Sequence, residues 1–153
     1  MSKPEFIYVT YIETTPEKLW RALTEPEFTR QFWCGTVQES EWKPGASWRI
    51  LKPDGGIADS GEVVEIEPHR RLVLKWQNHL FPEMTAEGFS RLTYELEEKG
   101  DSVKLTVTHE MERSGSKFIQ AISGGWPQIL CSLKSLLETG ESLELTRRWP
   151  DSL

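Results

Sequence analysis

Only two cysteines, Cys34 and Cys131, occur in 153 residues, and they lie far from each other and from any histidine cluster. That scarcity argues against a disulfide framework or a metal site and leaves reduced, packed thiols as the expectation. No apolar run approaches the roughly 18 residues of a membrane span, and no basic segment precedes an apolar one near the start. A cytoplasmic protein without a membrane span is therefore expected. Positive charge is also in deficit, since 18 basic against 24 acidic side chains leave a formal charge of −6. A sequence-independent grip on phosphate backbones needs the opposite balance, so no nucleic-acid partner is expected. Catalytic signatures are missing as well: the chain has no G-x-S-x-G elbow, Walker loop, dinucleotide fingerprint or zinc-type Cys/His spacing. Ser114-Gly115-Ser116-Lys117 lacks the leading glycine and the following Ser/Thr of a phosphate loop. No catalytic residue, metal or cofactor is assigned.

What the chain does have is a wide apolar stripe near its end. Trp126, Ile129, Leu130, Leu133, Leu136 and Leu137 share one face of a helix, with Gln128, Ser132, Lys134, Ser135 and Glu138 opposite. Ser123 is read as the cap, Pro127 as a first-turn proline and Gly140 as the left-handed stop. Such a stripe needs a large apolar surface against it.

The preceding residues supply one. Glu5–Ile12 is β-branched and aromatic on both faces, which predicts a strand covered on both sides. Thr15-Pro16-Glu17 opens a helix with Leu19, Trp20 and Leu23 inward, and Thr24 with Glu27 has capping-box spacing for a second short helix carrying Phe28, Phe32 and Trp33. Turn chemistry at residues 43–45, 53–56, 67–68 and 99–101 then divides short strands. Period-two alternation is clearest at Leu72, Leu74 and Trp76, at Leu92, Tyr94 and Leu96, and at Val103, Leu105 and Val107. Trp48 and Ile50 mark an earlier strand and residues 61–66 another. The fold class is α+β: a curved antiparallel sheet of about six or seven strands around a long C-terminal helix. Residues 1–140 form one domain, and residues 141–153 are a tail without clear period, expected to fray.

Candidate functional residues are aromatic, apolar or histidine. Seven tryptophans either fill the core or line a cavity, and Trp33, Trp48, Trp76 and Trp126 are the candidates for the latter. His109 continues the inward parity of its strand, as a hydrogen-bonded core residue or as an acid/base. His79 lies in a long loop, residues 78–88, that also carries Leu80, Phe81 and Met84; His69 sits in an exposed turn. The second short helix, this loop and the connection 113–122 with Phe118 are expected to border a cavity mouth, with His79 and His109 as polar anchors. Tyr94, Ile129, Leu130 and Leu133 complete the expected lining.

The segment Thr-Pro-Glu-Lys-Leu-Trp-Arg-Ala-Leu-Thr-Glu-Pro-Glu at residues 15–27, followed by Trp33, several strands and Gly125-Trp126 opening a Leu-rich helix, resembles a known superfamily. It is similar to the SRPBCC or START-like helix-grip domains, in the branch of the C-terminal domain of the activator of heat-shock-protein-ninety ATPase. The resemblance covers residues 5–140. It implies a helix gripped by a curved sheet, with two short helices at one end and an apolar cavity between. It also implies a small hydrophobic or aromatic ligand, lipid-, polyketide- or flavonoid-like, in stress or metabolite response. Two alternatives accompany it: a cyclase or hydrolase working in the same cavity, and a co-chaperone-like regulator of a heat-shock-protein ATPase. Against the last, the activator's N-terminal domain is expected to be absent, because the first strand starts within a few residues of Met1.

Overall fold

Two proline-led helices, α1 (Pro16–Thr24) and α2 (Pro26–Phe32), follow the first strand, β1 (Glu5–Ile12), in the computed structural model, which describes residues 4–111 and 115–150. Thr15 caps α1 as expected, its hydroxyl accepting the Lys18 amide at 3.2 Å. The capping box at α2 does not form. Glu25 holds the N-cap position without a side-chain bond, and the Thr24 hydroxyl instead donates back to the Trp20 carbonyl at 2.9 Å. With Thr24 still inside α1 and only Glu25 left before Pro26, the cap residue is too late in the chain to be Thr24.

Six further strands complete one sheet: β2 (Val37–Ser40), β3 (Ser47–Leu51), β4 (Ile57–Glu67), β5 (Arg71–Asn78), β6 (Ser90–Lys99) and β7 (Ser102–Glu110). Their order is β1-β7-β6-β5-β4-β3-β2 and every neighbouring pair is antiparallel. The expectation that β1 is covered on both sides fails. Phe6 and Tyr8 are half-buried and Ile12 is fully buried, but Ile7, Val9 and Tyr11 are 54%, 46% and 51% exposed. β1 is an edge strand, and no second layer covers its outward side chains among the described residues.

The long helix α4 runs over Lys117–Thr139, so it starts about nine residues before the expected 126–139. Ser116, not Ser123, is the cap, its oxygen accepting the Ile119 amide at 3.1 Å. Glu87, from the loop after β5, accepts both the Ser116 hydroxyl (2.5 Å) and the Lys117 amide (2.8 Å) and places a negative charge at the helix start. Gly124, Gly125 and Pro127 thus lie inside the helix, where a proline costs about 3 kcal/mol. Phe118 and Ile119, both buried, offset this at about 1.5–3 kcal/mol each. The connection expected from Arg113 therefore shrinks, and residues 112–114 lie outside the described residues. Gly140 ends the helix as expected, with φ +89° and its N–H on the Leu136 carbonyl.

The segment after Gly140 is docked, not frayed. A 3-10 turn at Glu144–Thr146 brings its Thr146 carbonyl onto the Cys34 amide at 2.7 Å, and the Leu143 amide bonds the Ser132 hydroxyl at 2.9 Å. Ser132, expected on the wet face of α4, is buried beneath it. Trp149 packs partly buried against the core, and residues 151–153 lie outside the described residues.

Candidate functional site

The centre of the grip is filled with rings. Trp126 of α4 meets Trp33 at 5.3 Å, Trp76 at 5.9 Å and Tyr94 at 6.1 Å between centroids, and Trp48 meets Trp76 at 4.6 Å. Gly61 lies between Trp48 and Trp76 in the strand register. A Cβ there would sit 1.8 Å from the Lys75 carbonyl oxygen, so only glycine allows β4 and β5 to approach this closely. Three buried indole N–H groups are each satisfied: Trp48 donates to Gln38 Oε1 (2.8 Å), Trp126 to His109 Nδ1 (3.1 Å) and Trp76 to Asp59 Oδ1 (2.8 Å).

His109 is fully buried and committed on both ring nitrogens. Because Nδ1 accepts from Trp126, the neutral ring carries its proton on Nε2, which donates to Ser90 Oγ at 2.7 Å. Ser90 passes its own proton on to the Trp76 carbonyl at 3.1 Å. Burial pulls the imidazole pKa down to about 3. Both ring nitrogens are thus engaged within the core, and the ring is neutral near pH 7.

Next to this filled centre lies a cavity of about 230 Å³, between α4 and strands β3 to β5. Its walls come from the segments around the end of the sheet: Trp33 after α2, Leu80, Phe81 and Met84 of the loop after β5, Phe118, Ile122, Gly125 and Ile129 of α4, and Trp149 of the docked tail. The loop is not free chain. It contains a one-turn helix, α3 (Pro82–Thr85), and Asn78 Oδ1 accepts the amides of Leu80 (3.0 Å) and Phe81 (3.3 Å). Thr85 Oγ1 donates to the Asn78 carbonyl at 2.7 Å, and Glu87 ties the loop's far end to α4.

The polar group in this cavity is Asp59. It pairs in register with Asn78 on β5 and Ile50 on β3, so Ile50, Asp59 and Asn78 form a row along the cavity's sheet wall. Trp76 Nε1 and Asn78 Nδ2 (3.2 Å) both donate to its Oδ1; among the described residues, no hydrogen bond engages Oδ2. Burial pushes the carboxyl pKa up to about 7 against the pull of these two donors. Cys34 also faces the cavity, and burial raises its thiol, which makes it a poor nucleophile at neutral pH. Among the described residues, no group of three or more His, Cys, Asp or Glu side chains is placed to hold a metal ion.

Of the residues singled out from the sequence, Trp33, Phe81, Met84, Phe118 and Ile129 line the cavity. Trp48, Trp76, Tyr94, His109, Trp126, Leu130 and Leu133 belong to the filled core beside it. His79 is exposed, with its ring nitrogen 2.6 Å from Ser60 Oγ, because it follows Asn78 with opposite strand parity. His69 is exposed too, against the edge of Trp20 at 6.1 Å. Cys131, expected to be packed, is exposed on α4 and sits 3.7 Å from the Tyr8 hydroxyl. Asp59 escaped notice because it follows the turn-rich run Pro53-Asp54-Gly55-Gly56, where an aspartate reads as solvated.

A family model described as Activator of Hsp90 ATPase homolog 1-like protein matches residues 13–138. No curated protein matches the sequence. Among solved structures, protein MLL2253 from Mesorhizobium loti superposes with a TM-score of 0.74 at 26% identity, covering 88% of this chain and 96% of that one. An HSP90 activator from Plasmodium falciparum gives a TM-score of 0.70 at 23% identity, with 87% and 95% covered. CalU16 from Micromonospora echinospora gives 0.66 at 19% identity, with 82% and 71% covered. The last two likenesses establish the shared helix-grip fold.

Proposed function

The chain belongs to the family of Activator of Hsp90 ATPase homolog 1-like proteins, and on that premise we propose that it binds a small apolar or aromatic molecule in the cavity between α4 and the sheet. The observation that carries this reading is the cavity itself: about 230 Å³ left open among Trp33, Phe81 and Phe118 in a domain whose neighbouring core is filled. Ligand pockets usually span roughly 300–1,000 Å³. The favoured guest is therefore one or two rings in size, and a lipid, polyketide or flavonoid needs the rim segments to part.

Gly125 provides the test. It faces the cavity, and a Cβ added there meets nothing within 4 Å. Gly125→Leu should fill the space, leave the melting temperature unchanged or higher because glycine is the poorer helix former, and abolish binding. Naphthalene-sized compounds should raise the melting temperature of the wild type saturably and leave the variant unmoved. The reading is lost if no such compound stabilises the wild type, or if Gly125→Leu binds equally well.

The enzymatic alternative shifts from His109 to Asp59, the cavity carboxyl with a pKa near neutrality. Mass spectrometry of each stabilising compound after incubation separates turnover from simple binding. The regulatory alternative rests on the family description; stimulation of a heat-shock-protein ATPase by the purified chain is its direct assay.

A further inference from the structure

The cavity wall offers a ligand few polar partners, and nearly all are already engaged. Thr36 Oγ1 donates to the Trp33 carbonyl at 2.6 Å. Asn78 gives Nδ2 to Asp59 and uses Oδ1 to hold the Leu80 and Phe81 amides. No Lys, Arg or His is among the described residues that line the space. Beside the weakly polar Cys34 thiol, what remains is Asp59 Oδ2, with no described hydrogen-bond partner, on a residue 8% exposed. Burying a carboxyl in apolar surroundings is costly unless it is protonated or paired. A guest that brings a donor relieves that cost; a guest that brings its own carboxylate adds to it.

From this arrangement, and resting on the cavity-binding reading above, we infer that Asp59 is the selectivity group of the site. In its ionised form it accepts a hydrogen bond through Oδ2 from a small ring compound carrying a donor, a protonated amine above all and a hydroxyl second, so the affinities are compared at pH 8. The amine ranks first because a charge-assisted bond is about twice as strong as a neutral one and because it supplies the missing cation. Trp76 makes the event visible. Its indole N–H already donates to the same carboxylate at 2.8 Å, so its NMR resonance reports on any change in Asp59 charge or position.

The experiment compares four probes of one shape: 1-naphthylmethylamine, 1-naphthylmethanol, 1-methylnaphthalene and 1-naphthoate. Affinities are measured by calorimetry on wild type and Asp59→Asn, with the Trp76 indole N–H followed by heteronuclear NMR. The asparagine keeps an oxygen for Trp76 and Asn78, and its folding is verified by the same spectra. In the wild type, the amine should bind about tenfold or more tighter than the hydrocarbon, with the alcohol between and the acid weakest. Asp59→Asn should bring the affinities of amine and hydrocarbon within about threefold of each other. The Trp76 resonance should move further with the amine than with the hydrocarbon. Equal wild-type affinities, or a ranking that survives Asp59→Asn, overturn the role of Asp59 yet leave the cavity as a binding site. If none of the four binds, the cavity reading and this inference fall together.

Discussion

Trp76 stands between two buried ionisable groups that the fold treats in opposite ways. Its ring lies 5.1 Å from that of His109, and its N–H donates to Asp59. Both neighbours are nearly fully buried, yet His109 is bonded at both nitrogens and Asp59 at one oxygen of two. On the His109 side, the rings of Trp76, Phe118 and Trp126 lie within 6.1 Å of the imidazole and both its nitrogens are bonded. On the Asp59 side, about 230 Å³ stays open and an acceptor faces it. Burial alone therefore does not distinguish the two groups; completeness of hydrogen bonding next to free volume does.

The variant with the largest expected effect removes the frame that both regions share. Leu133 is fully buried on α4, and Leu133→Asp places an unpaired charge where helix and sheet meet. The cooperative thermal transition should disappear from circular dichroism. A retained melting temperature would mean that α4 does not organise this core.

The next pair of variants separates the two sides by pH. His109 has its folded pKa lowered to about 3, so its neutral burial is fully compatible with stability above about pH 6.5 and increasingly destabilising as pH falls toward 3. Asp59 has its folded pKa raised from 3.8 to about 7, so its contribution is intact below about pH 4 and lost as pH rises to about 7. Between about pH 4 and 6.5 the two slopes oppose each other. His109→Ala should cost about 2–4 kcal/mol at pH 7, from a cavity plus an orphaned Trp126 N–H. It should also leave stability declining from pH 4 to 7. Asp59→Asn should gain about 1–2 kcal/mol at pH 8 by removing an ionised carboxyl, and its stability should climb more steeply through the same window. Urea midpoints across pH 4–8 measure both, and parallel profiles for the two variants would refute the contrast.

The smallest effect sharpens the comparison at its edge. The Tyr94 hydroxyl is buried in the filled region, with no partner among the described residues, and burial raises its pKa. Tyr94→Phe should change stability by less than about 1 kcal/mol, on the stabilising side, because it deletes an unsatisfied group and little volume. A loss of several kcal/mol in the same urea series would reveal an unseen partner for that oxygen.

Much of the frame was legible in the chain. Leu133 and its helical neighbours, the alternation around Leu74, Tyr94 and Val107, the Thr15 cap and the Gly140 stop all act through local periodicity or local bonds. The start of α4 was hidden because Gly124, Gly125 and Pro127 are local breakers, overruled by burial of Phe118 and Ile119 against other parts of the chain. Asp59 was hidden for a related reason. Its inward direction follows from the pairing of β4 with two neighbours, through irregularities at Ile50/Leu51 and Val63/Glu65 that shift the parity of the strand.

By itself the sequence determined the fold class, the apolar face of α4 and the family, since these depend on the order and spacing of side chains along the chain. Only the tertiary structure decided that His109 is closed and Asp59 open, that Trp48 and Trp76 fill space while Trp33 borders it, and that residues 141–150 dock on the helix they follow. Free volume and unmet hydrogen bonds are differences between what several elements bring to one place and what that place needs. No single stretch of chain carries them, so they come into being when the strands and α4 close on one another.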